Sequence, residues 1–191
     1  MKKIFILLAS AFLYTAASAQ TTWTVDKAHS NVKFTVTHLL VNDVDGTFKT
    51  YDATIVAAKP DFSDAKVSFT VQTASVSTDN DYRDNHLKGA DFFDVANKPT
   101  IAFTSTGITK TSDKHYAVTG NLTLAGVTKP ATFDLWYRGT IQNPMSKADD
   151  AGFQLTGTIK RADFNFGSKF GSAMLSDEVT IKANGEFAKA K

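Results

Sequence analysis

The sequence predicts an all-β protein: an eight-stranded antiparallel barrel with a short helical insertion at about residues 79–95. Three observations lead there. Apolar residues alternate with Thr, Ser and Lys in segment after segment, and a period of two marks antiparallel strands buried on one face. The alternation fails over one stretch, where the apolar spacing is that of short helical turns. No change of composition or Pro-rich linker divides the chain, so the strands belong to one domain. A barrel closes every strand edge, which is the strongest guard against edge-to-edge aggregation. A sandwich of two sheets is the alternative that the pattern leaves open.

The strands follow in order. Val32, Phe34 and Val36 alternate with Lys33, Thr35 and Thr37, and Trp23 to Asp26 is a candidate ninth strand ahead of them. A second strand is expected from Gly46 to Ala57. Val67, Phe69 and Val71 define the third, and Ile101 and Phe103 the fourth. Val118 to Leu124, Phe133 to Tyr137, Phe153 to Ile159 and Val179 to Phe187 complete the set. Between the third and fourth, Tyr82, Leu87, Phe92 and Phe93 suit one or two helices, interrupted near Gly89. Asp45-Gly46, Thr106-Gly107 and Ala125-Gly126 are candidate turns, and Asn184-Gly185 a turn or bulge. Lys59 to Asp64 reads as a polar loop, and Gly167 to Ser172 as a glycine-rich connection.

The first residues form a separate unit. Lys2 and Lys3 precede an apolar run of about 14 residues, short of the ~20 that span a bilayer. Ala17-Ser18-Ala19 then offers small residues for cleavage. Residues 1–19 are therefore expected to be a signal peptide and residues 20–191 a single exported, periplasmic domain. Without Lys2 and Lys3 the basic residues equal the 19 carboxylates, so nothing pulls the domain towards nucleic acid.

Most site chemistry is missing. With no cysteine, thiol catalysis, thiolate metal sites and disulfides are excluded. His29, His38, His86 and His115 lack the spacing of a zinc hydrolase, and no nucleophile elbow or P-loop is present. The aspartates of the insertion lack the EF-hand pattern. No metal, cofactor or catalytic set is expected. His38 is in phase with the apolar side of its strand and belongs at a rim. His115 follows Asp113-Lys114 and reads as a solvated turn residue. The 15 phenylalanines are the one compositional excess, and Phe34, Phe69, Phe103, Phe133 and Phe153 share the inward phase of separate strands. An eight-stranded barrel either fills its bore with such side chains or holds a ligand there.

Ordered blocks then carry a resemblance. Asp26-Lys27-Ala28-His29-Ser30 leads into Phe34 and His38, followed by Gly46-Thr47-Phe48. Arg83-Asp84-Asn85-His86-Leu87 and Asp91-Phe92-Phe93-Asp94 come next, then Gly120 to Pro130, Arg161-Ala162-Asp163-Phe164 and Leu175 to Val179. Together they resemble the YceI-like family of periplasmic polyisoprenoid-binding proteins. That family usually has Pro where this chain has Lys27, and commonly Gly where it has Asn165. The resemblance implies a lipocalin-like barrel with a long apolar cavity and no established catalytic activity.

The implied role is a periplasmic binding or carrier protein for a polyisoprenoid or other long-chain amphiphile, isoprenoid or fatty-acyl. Its apolar walls would be Phe34, Val36, Phe69, Phe103, Phe133 and Phe153. Polar groups would be confined to the mouth, at His38, Arg83, His86 and Arg161. Arg83 with Asp84 is equally well read as an ion pair holding the insertion. Two other functions remain open: a hydrolase or isomerase using His38 or His86 as base, and a structural or stress protein with a solidly packed barrel. A homodimer is left open.

Overall fold

The computed structural model describes residues 19–190, so the expected leader lies outside the described residues apart from Ala19. Ten strand segments are present: β1 (Thr21–His38), β2 (Asn42–Phe48), β3 (Tyr51–Ala57), β4 (Lys66–Gln72), β5 (Val76–Ser77), β6 (Thr100–Ser112), β7 (His115–Leu124), β8 (Val127–Gln142), β9 (Asp149–Lys160) and β10 (Leu175–Lys189). One helix, α1 (Asp81–Lys88), follows β5. Every pairing is antiparallel, and β10 returns to pair with β1.

These segments wind as eight strands. β2 pairs with the second half of β1 and β3 with its first, so the two are one strand broken at Lys49 and Thr50. β4 and β5 are likewise one strand, broken by a 3-10 turn at Thr73–Ser75. The barrel order is β1, β2/β3, β4/β5, β6, β7, β8, β9, β10 and back to β1. The expected strand from Gly46 to Ala57 is thus present with a break in it. Trp23 to Asp26 opens β1 instead of standing alone. Between Asp26 and Asn31, β1 bulges away from its register with β10. The Asp26 carboxylate holds that bulge by accepting bonds from Ala28 N–H (2.8 Å) and His29 Nδ1 (2.8 Å).

Two expected turns fall inside strands. Asp45 and Gly46 lie within β2, and the chain reverses at Leu39–Val41, where Leu39 and Leu40 have φ of 51° and 61°. Gly46 is dictated by packing, because a Cβ there would come within 2.1 Å of Phe34 Cζ on the strand paired with it. Gly107 sits at a bulge in β6, and the β6–β7 hairpin turns at Asp113-Lys114. Ala125-Gly126 is a turn, with φ of 50° and 80°, as a two-residue hairpin requires. Asn184 and Gly185 continue β10 in register with β9. His115 opens β7, where it stacks on Trp136 (centroids 5.7 Å, planes 5° apart) and bonds Asp134 at 2.9 Å.

The two ends of the barrel differ. At one end the loop after β3, expected to be merely polar, buries Phe62, which is 1% exposed. Phe62 packs on Trp23 (5.3 Å), Tyr137 (4.9 Å) and Phe153 (4.9 Å), and closes the bore like a stopper. Asp64 holds the loop by accepting from Ala58 N–H (3.0 Å) and Lys59 N–H (3.1 Å). The other end carries the insertion. The Asn80 side chain caps α1 by accepting from Arg83 N–H (2.9 Å), and Gly89 ends the helix. Phe93 then packs on Phe48 (5.6 Å) and Phe166 (4.7 Å).

The space over four strand glycines, Gly46, Gly120, Gly157 and Gly185, is taken by phenylalanine, with Phe187 lying over Gly185. Cβ atoms at Gly120 and Gly157 would meet the rings of Phe103 and Phe133 at 2.5 Å, as at Gly46 with Phe34. Gly157→Ala should push the Phe133 ring into the bore and cost about 1–3 kcal/mol, the usual range for overpacking. Urea unfolding reads this, and an unchanged midpoint would show that the ring has room to yield.

Candidate functional site

The bore holds two adjoining chambers. The inner one, about 140 Å³, is walled by β-strand side chains including Phe69, Phe103, Phe133, Phe153 and Phe187. The outer one, about 300 Å³, is walled by Phe34, Val36, Val179 and the aromatic groups of the insertion. Phe48, Ile101, Leu124, Ile159 and Ile181 line both and form a collar between them. Strand alternation aims these residues inward, yet Phe34, Phe69, Ile101, Leu155, Ile159 and Ile181 are only half-buried. An inward residue at a filled core would be fully buried; these face open space. From Val179 to Phe187 the wall runs roughly 26 Å along the strand, or roughly 20 Å of axis at a typical barrel tilt.

The inner wall is almost wholly apolar. Ser30, Asn31 and Asn184 border it beside the β1 bulge and present almost no polar surface to it. Their amides satisfy one another: Gln154 Nε2 donates to Asn184 Oδ1 (2.8 Å), and Asn184 Nδ2 to Asn31 Oδ1 (3.1 Å).

At the mouth the structure brings His38, Arg83, His86 and Arg161 to the wall of the outer chamber. They are not equivalent. Arg161 is 5% exposed and donates all five of its N–H groups to carbonyls: Nε to Ser176, Nη1 to Phe166 and Gly167, Nη2 to Phe170 and Leu175. It knits the 165–175 loop to β10 and keeps no donor for a ligand. Burial lowers its pKa below the ordinary arginine value, and its charge, with Asp177 nearby, is the cation at the floor of that loop. Asn165 beside it has φ of 53°, the left-handed conformation that explains why a glycine suits this position and why Asn is the next best choice.

Arg83 keeps donors in hand. Nε donates to Thr78 Oγ1 (2.7 Å) and one Nη2 hydrogen to Thr78 O (2.8 Å), and among the described residues Nη1 has no bonded partner. The buried Asp84 accepts from the same threonine, through N–H (2.8 Å) and Oγ1 (2.5 Å). Arg83 and Asp84 are therefore joined through Thr78, which anchors α1 to β5. His86 lies edge-on to Phe92 (5.1 Å) and Phe170 (5.7 Å), and His38 ends β1 at the rim. Both histidines are exposed, and among the described residues neither imidazole is hydrogen-bonded.

One group with metal-ligand atoms forms elsewhere. Asp26, His29 and Glu186 bring theirs within 4.8 Å of one another. The hydrogen bond to Asp26, with the charges of Asp26 and Glu186, raises the His29 pKa above its usual value. That favours the protonated imidazole, whereas a metal needs the neutral ring. The cluster serves the bulge through the bond between His29 Nδ1 and the Asp26 carboxylate.

A closed antiparallel barrel, stoppered at one end and hollow within, is the architecture of a small-ligand binding protein. The family model of the YceI-like domain matches residues 23–187. A UPF0312 protein of Staphylococcus aureus (strain bovine RF122 / ET3-1) is 37% identical over 172 residues, covering 88% of this chain and 98% of its own. The crystal structure of a Campylobacter jejuni YCEI protein is 36% identical with a TM-score of 0.74, covering 88% and 98%. A polyisoprenoid binding domain from Saccharophagus degradans, 16% identical, shares the fold with a TM-score of 0.67 over 88% and 98%. The chain belongs to the YceI-like family.

Arg161→Met would leave five carbonyls without their donor. It should cost roughly 3–5 kcal/mol in urea unfolding, as loss of one partner from a buried charged network does. Amide exchange should accelerate across residues 165–175. Unchanged stability would show that the loop is held by other contacts.

Proposed function

We propose that the protein binds and carries a polyisoprenoid or another long-chain amphiphile, tail in the bore and head group at the mouth. The observation that carries this reading is the unfilled bore: inward-facing apolar side chains left half-buried around two adjoining chambers. A hydrocarbon tail offers no hydrogen bonds, so its affinity must come from apolar burial. At about 0.8 kcal/mol per CH₂, ten enclosed carbons supply about 8 kcal/mol before ordering costs. Phe34, Val36, Phe69, Phe103, Phe133 and Phe153 are the walls that would supply it. Because Phe62 stops the far end, the chain enters tail first. Arg83, His86 and His38 then meet the head group, while Arg161 shapes the loop around it. The polyisoprenoid binding of the Saccharophagus degradans relative supports the same class of ligand.

Catalysis gains no support from the mouth. A base needs a partner that orients it, and among the described residues no carboxylate is bonded to His38 or His86. A solidly packed structural barrel is at odds with chambers of about 140 and 300 Å³. The reading includes export: cleavage after Ala19 would place the domain in the periplasm, and N-terminal sequencing of the secreted chain should begin at Gln20. Retention of Met1 would overturn that assignment.

The test of binding is Phe69→Trp. Phe69 is half-buried on the wall of the inner chamber, so added bulk enters open space. Binding of a C20 isoprenoid alcohol, followed by native mass spectrometry, should weaken at least about tenfold, with the thermal midpoint unchanged. Equal binding by both proteins would place the ligand outside the inner chamber.

A further inference from the structure

The β1–β2 hairpin tip is built against local preference. Leu39 and Leu40 both adopt left-handed φ, 51° and 61°, in a turn whose ordinary residues are Asn and Gly. Leu39 is 51% exposed, Leu40 69% and Val41 83%. Met174, 49% exposed, lies against the tip, its carbonyl accepting from Leu39 N–H (2.9 Å). Three consecutive apolar residues are thus held in solvent by a strained turn, and such strain concentrates where function requires it.

The position of the tip gives it a purpose. His38 and Met174, its immediate neighbours, are part of the outer chamber wall. Apolar surface therefore continues from the tip over the rim into the bore. Tyr82, 86% exposed, is on α1 at the same end.

We infer that the Leu39–Val41 tip, with Met174, is a lip that inserts the barrel mouth into an uncharged lipid surface. The choice of a bilayer as partner rests on the tunnel reading above, since a tail-first cargo must leave a bilayer to enter the bore. Four side chains are far fewer than the roughly 20–30 residues a side of a stable protein interface, which argues against a second copy. The charged residues nearest the tip along β2 and β10 are carboxylates, Asp43, Asp45, Asp177 and Glu178, so the strand residues next to the tip offer no cation to an anionic surface. Asp43 and Asp45 also fix the depth, since their bonds to Thr37 (2.7 Å) and Thr35 (2.6 Å) hold them just below the tip.

The test compares the full folded protein with the double variant Leu39→Asn/Leu40→Gly, which installs the residues the turn prefers. The variant should melt at a higher temperature, so lost binding cannot be blamed on misfolding. The unsubstituted protein should co-sediment with dioleoylphosphatidylcholine vesicles, no more strongly when anionic lipid is added and no less in high salt. The variant should bind those vesicles at least about tenfold more weakly. Equal sedimentation of both, no sedimentation of either, or binding that high salt abolishes would each overturn the lip. So would an unsubstituted protein that is dimeric by analytical ultracentrifugation and becomes monomeric in the variant. A C20 isoprenoid alcohol delivered from ethanol, without vesicles, should bind both proteins equally. If neither takes it up, the tunnel reading fails while vesicle sedimentation still decides the lip.

Discussion

The hollow bore depends on phenylalanine rings sharing space with strand glycines. Large rings on the inner face of an eight-stranded barrel would ordinarily meet across the axis and fill it. Here the rings of Phe34, Phe103, Phe133 and Phe187 occupy the volume that side chains at Gly46, Gly120, Gly157 and Gly185 would need. A ring accommodated over a glycine of the wall is drawn away from the axis. Glycine in a strand interior is disfavoured by about 0.5–1 kcal/mol against Ala, so four such positions require a compensating contact. Close ring-to-backbone packing supplies it, and the vacant axis is the functional result.

The ends of the barrel then give the bore a direction. One is sealed by apolar packing, with Phe62 wedged among Trp23, Tyr137 and Phe153. The other is a frame of hydrogen-bonded loops. Two arginines organise it differently: Arg161 is consumed by five carbonyls, while Arg83 shares Thr78 with Asp84 and retains free donors. Only the second kind can meet a ligand. In the proposed reading, the sealed end and the polar frame would together orient an amphiphile, tail inward and head group at Arg83.

Much of this was legible in the sequence, for physical reasons that also mark where legibility stopped. Period-two alternation reveals which face of a strand is buried, so Phe34, Phe69, Phe103, Phe133 and Phe153 could be aimed inward. It does not reveal whether the interior they face is filled. Turn propensity failed at Asp45-Gly46, because the glycine answers to the Phe34 ring across the strand pair, while the real turn uses leucines that disfavour it. Phe62 was hidden in a loop of Pro, Asp and Ser, since burial of a single side chain leaves no periodic trace. The four mouth residues were found by resemblance and phase, yet whether each has a donor to spare is decided by carbonyl positions that no local pattern encodes.

The same geometry links stability to cargo. An apolar void forfeits the dispersion contacts that its lining would make in a packed core, and water gains little by entering it. The amide groups at the β1 bulge bond one another and offer the bore few open polar sites. The barrel is therefore a core whose innermost layer is open, held together by its ladder of strands and by the aromatic stopper. A hydrocarbon tail lying along the axis would restore the missing contacts to Phe69, Leu155, Ile159 and Ile181 at once. Ligand that binds only the folded state raises stability by mass action. If the proposed function holds, an open bore and a tightly held chain are both served by the same side chains, whose missing contacts a bound tail would supply.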